Sequence, residues 1–290
     1  MSINALSKKT VDVLDSTVDR VVAPLEDKNE SVLRVEQLYI DAYLHNKSKS
    51  LVHGISFSIQ KGKTFALVGE SGSGKSVTAS AIIGLLPKAL RIRAGHIFFR
   101  EESILTQTAH DRRELRGKQI GIVYQDYQGS FTPSIKIGNQ LVEMIRSHRK
   151  LSKSDASDLA KLWLARVALP VERVYLSYPF ELSGGQRQRI AIAAALMLEP
   201  SLLIVDEPTT ALDVITSALI LDLIAQLQAE TGCAVLHISH HLRQVLQRAN
   251  HIAVMQEGKI VEQGNAKQIR FWPLHPYTKM LLEACPKLIR

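Results

Sequence analysis

A glycine-rich segment directly after a short apolar run constrains the fold of this chain more than any other feature. The run Phe65–Val68 is short, apolar and bounded by glycine, as is typical of a buried central strand. It is followed at once by Gly69-Glu-Ser-Gly-Ser-Gly-Lys75-Ser76, and helical spacing then continues from Ser76 to Leu86. A strand, a Gly-x4-Gly-Lys-Ser loop and a helix in this order predict a phosphate-binding P-loop.

The predicted loop combines several groups that bind phosphate. Its glycines allow the backbone to curl so that successive N–H groups face the β-phosphate, and the helix N-terminus adds a partial positive charge. Lys75 is placed to reach the β- and γ-phosphates, and the Ser76 hydroxyl is placed to ligate Mg²⁺. We therefore expect ATP and Mg²⁺ here. The expected contacts are Gly69, Ser71, Gly72, Ser73, Gly74, Lys75, Ser76 and Val77.

A second apolar strand ends in two acidic residues. Leu202–Val205 leads directly into Asp206 and Glu207, and Pro208 follows. Carboxyl ends of parallel strands meet at one edge of a sheet, so we expect both acids beside the P-loop. Asp206 is expected to hold Mg²⁺, and Glu207 is expected to polarise the attacking water as general base.

Two further polar residues follow short apolar runs. Gln125 comes after Ile122–Tyr124, and its side-chain oxygen could reach the metal or the water. His240 comes after Leu236–Ser239, where a neutral imidazole could hydrogen-bond the γ-phosphate or the water network. A single glutamine or histidine has a packing role more often than a chemical one. Their assignment to the site therefore depends on their spacing from the other motifs.

A second helix start has the composition of a phosphate-binding site. Leu182-Ser183-Gly184-Gly185-Gln186 precedes a predicted helix from Gln186 to Leu198, so its N-terminus could face phosphate as well. One nucleotide does not need two such sites. We infer that Ser183, Gly184, Gly185 and Gln186 contact the γ-phosphate of ATP held by another subunit, so that two chains enclose two nucleotides.

From about Leu33 to Arg290 the ordered motifs resemble the nucleotide-binding subunits of ABC transporters. The resemblance implies that Gln125 is the Q-loop residue that senses the transmembrane partner and a Mg²⁺ ligand. It identifies Leu182–Gln186 as the family signature and His240 as the switch histidine. It also implies that Ala211–Asp213 is the D-loop, with Asp213 at the dimer interface near the nucleotide.

Alternation of strands and helices around one helical insert predicts a parallel α/β core that carries a helical subdomain. The resemblance refines this to an α/β P-loop NTPase core, a parallel sheet with flanking helices, plus an antiparallel β region and an inserted α-helical subdomain. Residues 1–31 are expected to be an N-terminal extension, 32–270 the nucleotide-binding domain, about 130–200 its helical subdomain and 271–290 a short C-terminal extension. Apolar spacing in residues 8–25 predicts an amphipathic helix.

A narrower resemblance connects this chain with the peptide/nickel importer branch. It depends on Gly69–Ser76, Asp206–Asp213 and His275–Leu282. The branch implies import of a peptide, nickel or a metal chelate through two transmembrane permease subunits, with an external substrate-binding protein. It also implies a second, non-identical ATPase subunit, and hence a heterodimer rather than a homodimer, at the cytoplasmic face of the cell membrane.

Several positions distinguish this chain within the branch. Tyr43 is the candidate for the aromatic residue that stacks on adenine in the family, and Ala42 is the alternative. His241 stands where aspartate usually follows the switch histidine. The segment Gln125–Pro133 is closer to the nickel-type subunits than to the peptide importers. Cys285 is the only cysteine near the end of the sequence, so we predict no iron–sulfur site.

Composition supports a globular chain, with 46% hydrophobic and 22% charged residues. The longest apolar run, Ile190–Leu198, is shorter than the roughly 18 residues of a membrane span, so no crossing is predicted. The main alternative is an ABC-type ATPase that acts on nucleic acid in DNA repair or chromosome maintenance. Neither heptads nor cysteine pairs interrupt the motifs, so we expect no nucleic-acid partner despite a net charge of +8. A degenerate regulatory subunit is disfavoured because Gly184, Glu207 and His240 are intact.

Overall fold

The computed structural model describes residues 31–44, 47–126, 128–210 and 212–284. The strands are β1 (Ser31–Leu44), β2 (Lys47–Gln60), β3 (Thr64–Val68), β4 (Leu90–Phe99), β5 (Glu102–Ser103), β6 (Ile120–Val123), β7 (Leu202–Asp206), β8 (Ala234–Ser239), β9 (His251–Gln256) and β10 (Lys259–Asn265). The helices are α1 (Lys75–Ile82), α2 (Ala109–Lys118), α3 (Ile137–His148), α4 (Lys153–Arg166), α5 (Val171–Leu176), α6 (Gly184–Leu196), α7 (Val214–Thr231), α8 (Leu242–Val245), α9 (Ala266–Phe271) and α10 (Pro276–Glu283). The helix predicted at residues 8–25 lies outside the described residues, as do Ala211 and Cys285.

A six-stranded sheet forms the centre of the fold, in the order β10-β9-β3-β8-β7-β6. Neighbours from β9 to β6 run parallel, and β10 pairs antiparallel with β9. Strands β3, β7 and β8 are buried along their whole length, which explains their unbroken apolar sequence. The predicted parallel α/β core is confirmed, and the P-loop and the acids follow strands whose carboxyl ends share one edge.

A four-stranded antiparallel sheet, β2-β1-β4-β5, packs against this core. Phe57 of β2 stacks on Phe65 of β3 with ring centroids 4.9 Å apart. Strand β4 was not identified from the sequence because arginines and Gly95 interrupt its apolar pattern. Gly95 has φ 98°, and a Cβ there would lie 2.2 Å from the Gln37 carbonyl oxygen. Only glycine fits this close approach between β4 and β1.

Helices α3 to α6 form the helical part of the chain. Their buried side chains, among them Leu141, Ile145, Trp163 and Ile190, belong to one hydrophobic cluster. The observed helices fall within the predicted insert at about 130–200. The exact limits of that insert stay a prediction, because its cluster is continuous with the side of the core sheet that carries Leu203 and Val205.

Helix α7 is the one helix among the described residues that is long and apolar enough to cross a membrane by length and composition. Its sequence contains no unbroken apolar run of membrane length. Its buried side chains Ile220, Leu223 and Leu227 belong to the same cluster as α6. A core helix of this kind passes the same test, so the observation is weak evidence for a span.

Helix α1 is shorter than the predicted helix from Ser76 to Leu86. It ends at Ile82, and Gly84 follows with φ 68°. The N–H of Leu85 then donates to the Ser80 carbonyl at 2.8 Å. A glycine in the left-handed conformation is a common helix terminator, so Leu85 and Leu86 continue the apolar pattern but not the helix.

The C-terminal helices α9 and α10 pack on the core near β3 and β9. Ile269 and Tyr277 are buried in a cluster with Ala66, Val68 and Val254. The Tyr277 side chain is therefore part of the hydrophobic core beneath the P-loop strand, although its segment was expected to be an extension.

Candidate nucleotide-binding site

The P-loop backbone depends on close packing between its glycines and neighbouring strands. A Cβ on Gly69 would lie 2.0 Å from the Met255 carbonyl oxygen, so no larger residue fits there. Gly74, at the start of α1, has φ 103°. Among the described residues no side chain caps α1, so the N–H groups of its first turn are left for an anion.

Lys75 is folded back onto the loop. Its Nζ donates to the carbonyl oxygens of Gly69 and Glu70, each at 2.8 Å, and the residue is buried. Burial lowers the Lys75 pKa, while the carboxylates of Glu207, Asp206 and Glu70 oppose this change. The ammonium group thus contacts loop carbonyl oxygens, and a phosphate bound by the loop would contact it directly.

Ser76 and Asp206 form the part of the site suited to a metal. The Ser76 hydroxyl donates to Asp206 Oδ1 at 3.1 Å, across 130 residues of sequence. Burial raises the Asp206 pKa, and the Ser76 hydrogen bond and Lys75 oppose this effect. Hydroxyl and carboxylate oxygens are the ligands that Mg²⁺ prefers, so these two residues fit the expected ion.

Glu207 lies beside His240. Glu207 Oε2 is 3.1 Å from His240 Nδ1, and it also accepts a 3.1 Å hydrogen bond from the Thr210 hydroxyl. The Glu207 backbone N–H donates to the Ile238 carbonyl at 3.0 Å. Glu207 has φ 45°, a left-handed conformation that is costly for a residue with a side chain. Two side chains and a strained backbone therefore orient this carboxylate.

His241 contacts the switch histidine directly. The centroids of the His240 and His241 rings are 3.9 Å apart. Burial lowers the His241 pKa, and His240 lowers it further. The backbone N–H of His241 donates to the Ser239 hydroxyl at 3.0 Å. A second imidazole thus occupies the position where aspartate is usual.

Gln125 follows strand β6, and the two adenine candidates lie near the end of strand β1. Gln125 is exposed just after β6, and β6 pairs with β7 through Val123 and Val205. Tyr43 is 45% exposed with Arg91 over its ring, whereas Ala42 is 7% exposed. An exposed ring is available for stacking and a buried methyl group is not. The assignments of Gln125 and Tyr43 stay predictions.

The signature segment begins α6 with a capping box. Ser183 Oγ accepts from the Gln186 N–H at 3.3 Å, and Gln186 Oε1 accepts from the Ser183 N–H at 2.9 Å. A Cβ on Gly185 would lie 3.3 Å from the Thr216 methyl group. Thr216 in turn donates its N–H to Asp213, which caps α7. The structure therefore brings the signature and Asp213 together.

The P-loop and the signature have different packing neighbours within the chain. Helix α1 packs against β7, whereas α6 packs against α4, α7 and β6. This arrangement supports the expectation that the two helix N-termini do not bind the same nucleotide.

Two contacts of the site were not anticipated from the sequence. Thr210 holds the Glu207 carboxylate, and a hydroxyl three residues after the acid was the available signal. The Tyr277 hydroxyl accepts a 3.0 Å hydrogen bond from the Glu70 N–H, 207 residues away. No local pattern could reveal this second contact.

The ABC transporter family model matches residues 52–210. The dipeptide transport ATP-binding protein DppD of Bacillus subtilis is 43% identical over 262 residues, which cover 89% of this chain and 78% of that protein. The oligopeptide transport ATP-binding protein OppD of Escherichia coli is 38% identical over 275 residues, which cover 94% of this chain and 81% of that protein. These similarities support a transport ATPase and give no support to a nucleic-acid function.

Solved structures share the fold. CbiO1 from Clostridium perfringens, part of an ABC transporter complex, superposes with a TM-score of 0.71 at 29% identity and covers 83% of this chain and 90% of that one. The dimeric bacterial ABC transporter cassette MJ0796 has a TM-score of 0.72 at 24% identity over 81% of this chain and 98% of that one, which supports the fold alone. The chain therefore belongs to the ABC transporter family and is an ABC-type ATPase.

Proposed function

We propose that this chain hydrolyses MgATP to drive peptide uptake by an ABC importer. The observation that carries the proposal is the placement of Glu207, oriented by His240 and Thr210, beside the Ser76–Asp206 pair and Lys75 at one edge of the sheet. Binding groups for phosphate and a base for water are thereby combined in one site.

Each residue has a distinct role in the proposed reaction. The N-terminus of α1 and Lys75 bind the phosphates, and Tyr43 stacks on adenine. Ser76 and Asp206, with Gln125, would hold Mg²⁺, which would neutralise charge on the phosphates. Glu207 accepts a proton from water as the water oxygen attacks the γ-phosphorus, and ADP leaves. His240 keeps the Glu207 carboxylate in place and contacts the γ-phosphate.

The second half of each site comes from another subunit. Ser183, Gly184, Gly185 and Gln186 bind the γ-phosphate of ATP on that partner, and Asp213 lies near the same interface. We propose a non-identical ATPase as the partner, at the cytoplasmic face of the membrane. Two transmembrane permease subunits and an external substrate-binding protein complete the transporter.

Peptide is the proposed cargo because relatives that this chain covers well are a dipeptide and an oligopeptide transport protein. Uptake of labelled di- and oligopeptides, and of nickel, by cells with and without this chain distinguishes the cargoes. Loss of peptide uptake alone is expected. Loss of nickel uptake with normal peptide uptake would overturn the peptide proposal and leave the ATPase assignment intact.

Replacing the base tests the mechanism directly. Glu207→Gln should lower kcat of the assembled transporter by roughly 10²- to 10⁴-fold, the usual contribution of a general base. ATP affinity should be retained because the phosphate-binding groups are unchanged. ATPase rates and the ATP Kd would be measured in parallel, with the exposed Glu172→Gln as control. Normal turnover in Glu207→Gln would exclude this carboxylate as the base.

A further inference from the structure

The C-terminal helix α10 is connected to the P-loop by one hydrogen bond. Tyr277 OH accepts from the Glu70 N–H at 3.0 Å, and only 6% of Tyr277 is exposed. Glu70 is the second residue of the P-loop, and Tyr277 lies in the first turn of α10. This hydroxyl thus joins the end of the chain to the loop that binds the nucleotide.

The backbone N–H and the backbone carbonyl of Glu70 are both hydrogen-bonded. The N–H is bound by Tyr277, while the Glu70 carbonyl accepts from Lys75 Nζ at 2.8 Å and from the Ser73 N–H at 3.2 Å. Lys75 is the cation that meets the phosphates. A shift of Glu70 would therefore move a direct partner of that cation.

The start of α10, which carries Tyr277, is itself fixed by several contacts. The Glu262 carboxylate, on a residue that is only 4% exposed, accepts from the N–H groups of Leu274 at 2.8 Å and His275 at 3.0 Å. His275 then caps α10 by accepting from the Tyr277 N–H at 3.2 Å, and Pro276 occupies the first helical position. A buried carboxylate, a cap and a proline together determine where the helix begins.

We propose that Tyr277 is a positioning residue for the P-loop: its hydroxyl holds the Glu70 amide so that the loop is preorganised for ATP. The proposal depends on the P-loop being the ATP site. Docking of α10 and binding of nucleotide are then linked, and each stabilises the other by the same free energy. Tyr277 does not touch the substrate and acts through Glu70 and Lys75.

The conservative variant Tyr277→Phe keeps the ring and removes the hydroxyl. We expect the ATP Kd of the full chain and the KM of the assembled transporter to rise roughly two- to tenfold, the value of one hydrogen bond, with kcat unchanged. Tyr175→Phe is the matched control because it loses a 2.8 Å hydrogen bond to Ser157 in the helical part. Its KM should stay the same.

Unchanged ATP affinity in Tyr277→Phe would overturn the proposal, as would an equal change in both variants. If Tyr277→Phe does not fold, Glu262→Gln provides the second variant. It keeps the hydroxyl but weakens the anchor of α10, and it should raise the ATP Kd with kcat unchanged.

Hydrogen exchange provides a measurement that a purely structural role would not affect. MgATP should slow amide exchange in residues 277–284 of the full chain, because the occupied P-loop stabilises the docked helix. The protection should disappear in Tyr277→Phe and persist in Tyr175→Phe. Equal protection in both variants would overturn the coupling. Normal ATP turnover in Glu207→Gln, together with retained protection of α10 by MgATP, would overturn the proposed mechanism and leave the coupling intact.

Discussion

Glu207 combines backbone strain with two side-chain contacts, one to His240 and one to Thr210. Its backbone has φ 45°, and its carboxylate lies 3.1 Å from His240 Nδ1 and 3.1 Å from the Thr210 hydroxyl. Such strain persists only where the surrounding structure enforces it, and it is often found at functional sites. Contacts within this chain thus hold the carboxylate of Glu207, the proposed base.

His237 is buried in the central strand β8 and is not part of the proposed reaction. Burial lowers its pKa to about 4, and Arg248 contributes in the same direction. The unfolded chain, with an ordinary histidine pKa near 6.5, binds more protons between these two values. The titration of His237 therefore leaves the free energy of unfolding unchanged above about pH 6.5 and lowers it as the pH falls from 6.5 toward 4.

His237→Leu should remove this pH dependence while preserving an apolar strand. Between pH 7 and pH 5 the unmodified chain should lose roughly 2 kcal/mol more of its free energy of unfolding than the variant. Denaturant titrations at both pH values would measure the difference. The exposed His110→Gln serves as the control. Identical losses in His237→Leu and the unmodified chain would show that His237 does not contribute.

The N–H groups in the first turn have different hydrogen-bond partners in three of the helices. Within the described part of the chain no side chain caps α1, so its first-turn N–H groups are available to the proposed phosphate. Helix α6 has a capping box from Ser183 and Gln186, so phosphate from a partner's nucleotide would compete with Ser183 for the Gln186 N–H. Helix α4 has an ordinary cap, in which Ser152 Oγ accepts from the Asp155 N–H at 3.1 Å.

Removing the ordinary cap should affect stability alone. Ser152→Ala should lower the free energy of unfolding by about 1 kcal/mol, the usual cost of losing a serine cap. ATP affinity should not change, because α4 makes no part of the site. Ser154→Ala, two residues along the same helix, is the matched control and should not destabilise the chain. A destabilisation of equal size in both variants would contradict a specific cap.

At the scale of the whole molecule, two separate helix starts are proposed to bind phosphate. The P-loop follows β3 in the sheet core, and the signature begins α6 in the helical part. The packing of α6 on α7 places Gly185 beside Thr216, whose N–H donates to Asp213. In the proposed mechanism, a complete site requires the assembly of two subunits.

Gly184→Asp tests whether the signature and the P-loop bind different nucleotides. Aspartate is favourable in the first turn of a helix, so the chain should fold, but its charge would repel the partner's γ-phosphate. The isolated chain should bind ATP normally, whereas the assembled transporter should lose steady hydrolysis. Lys75→Ala, in contrast, should weaken ATP binding to the isolated chain. Equal loss of binding in both variants would mean that the signature and the P-loop act on the same nucleotide.

Local motifs were predictable because the residues that form them are adjacent. The segment Phe65–Ser76 contains its own strand, glycines and helix start, and β7 leads directly to Asp206 and Glu207. Strand β4 was missed because its partners are remote: Ile97 lies opposite Val35 of β1. Burial of that pair, rather than any periodicity near residue 97, explains why the segment is a strand.

The sequence alone determined the parallel α/β core, the family and the residue types available for ATP hydrolysis, because these depend on short-range order along the chain. Only the tertiary structure decided which groups meet: Ser76 with Asp206, Glu207 with His240, and the Tyr277 hydroxyl with the Glu70 backbone N–H. These contacts depend on the strand order of the sheet and on the docking of α10. Such long-range packing leaves no periodic pattern in the sequence.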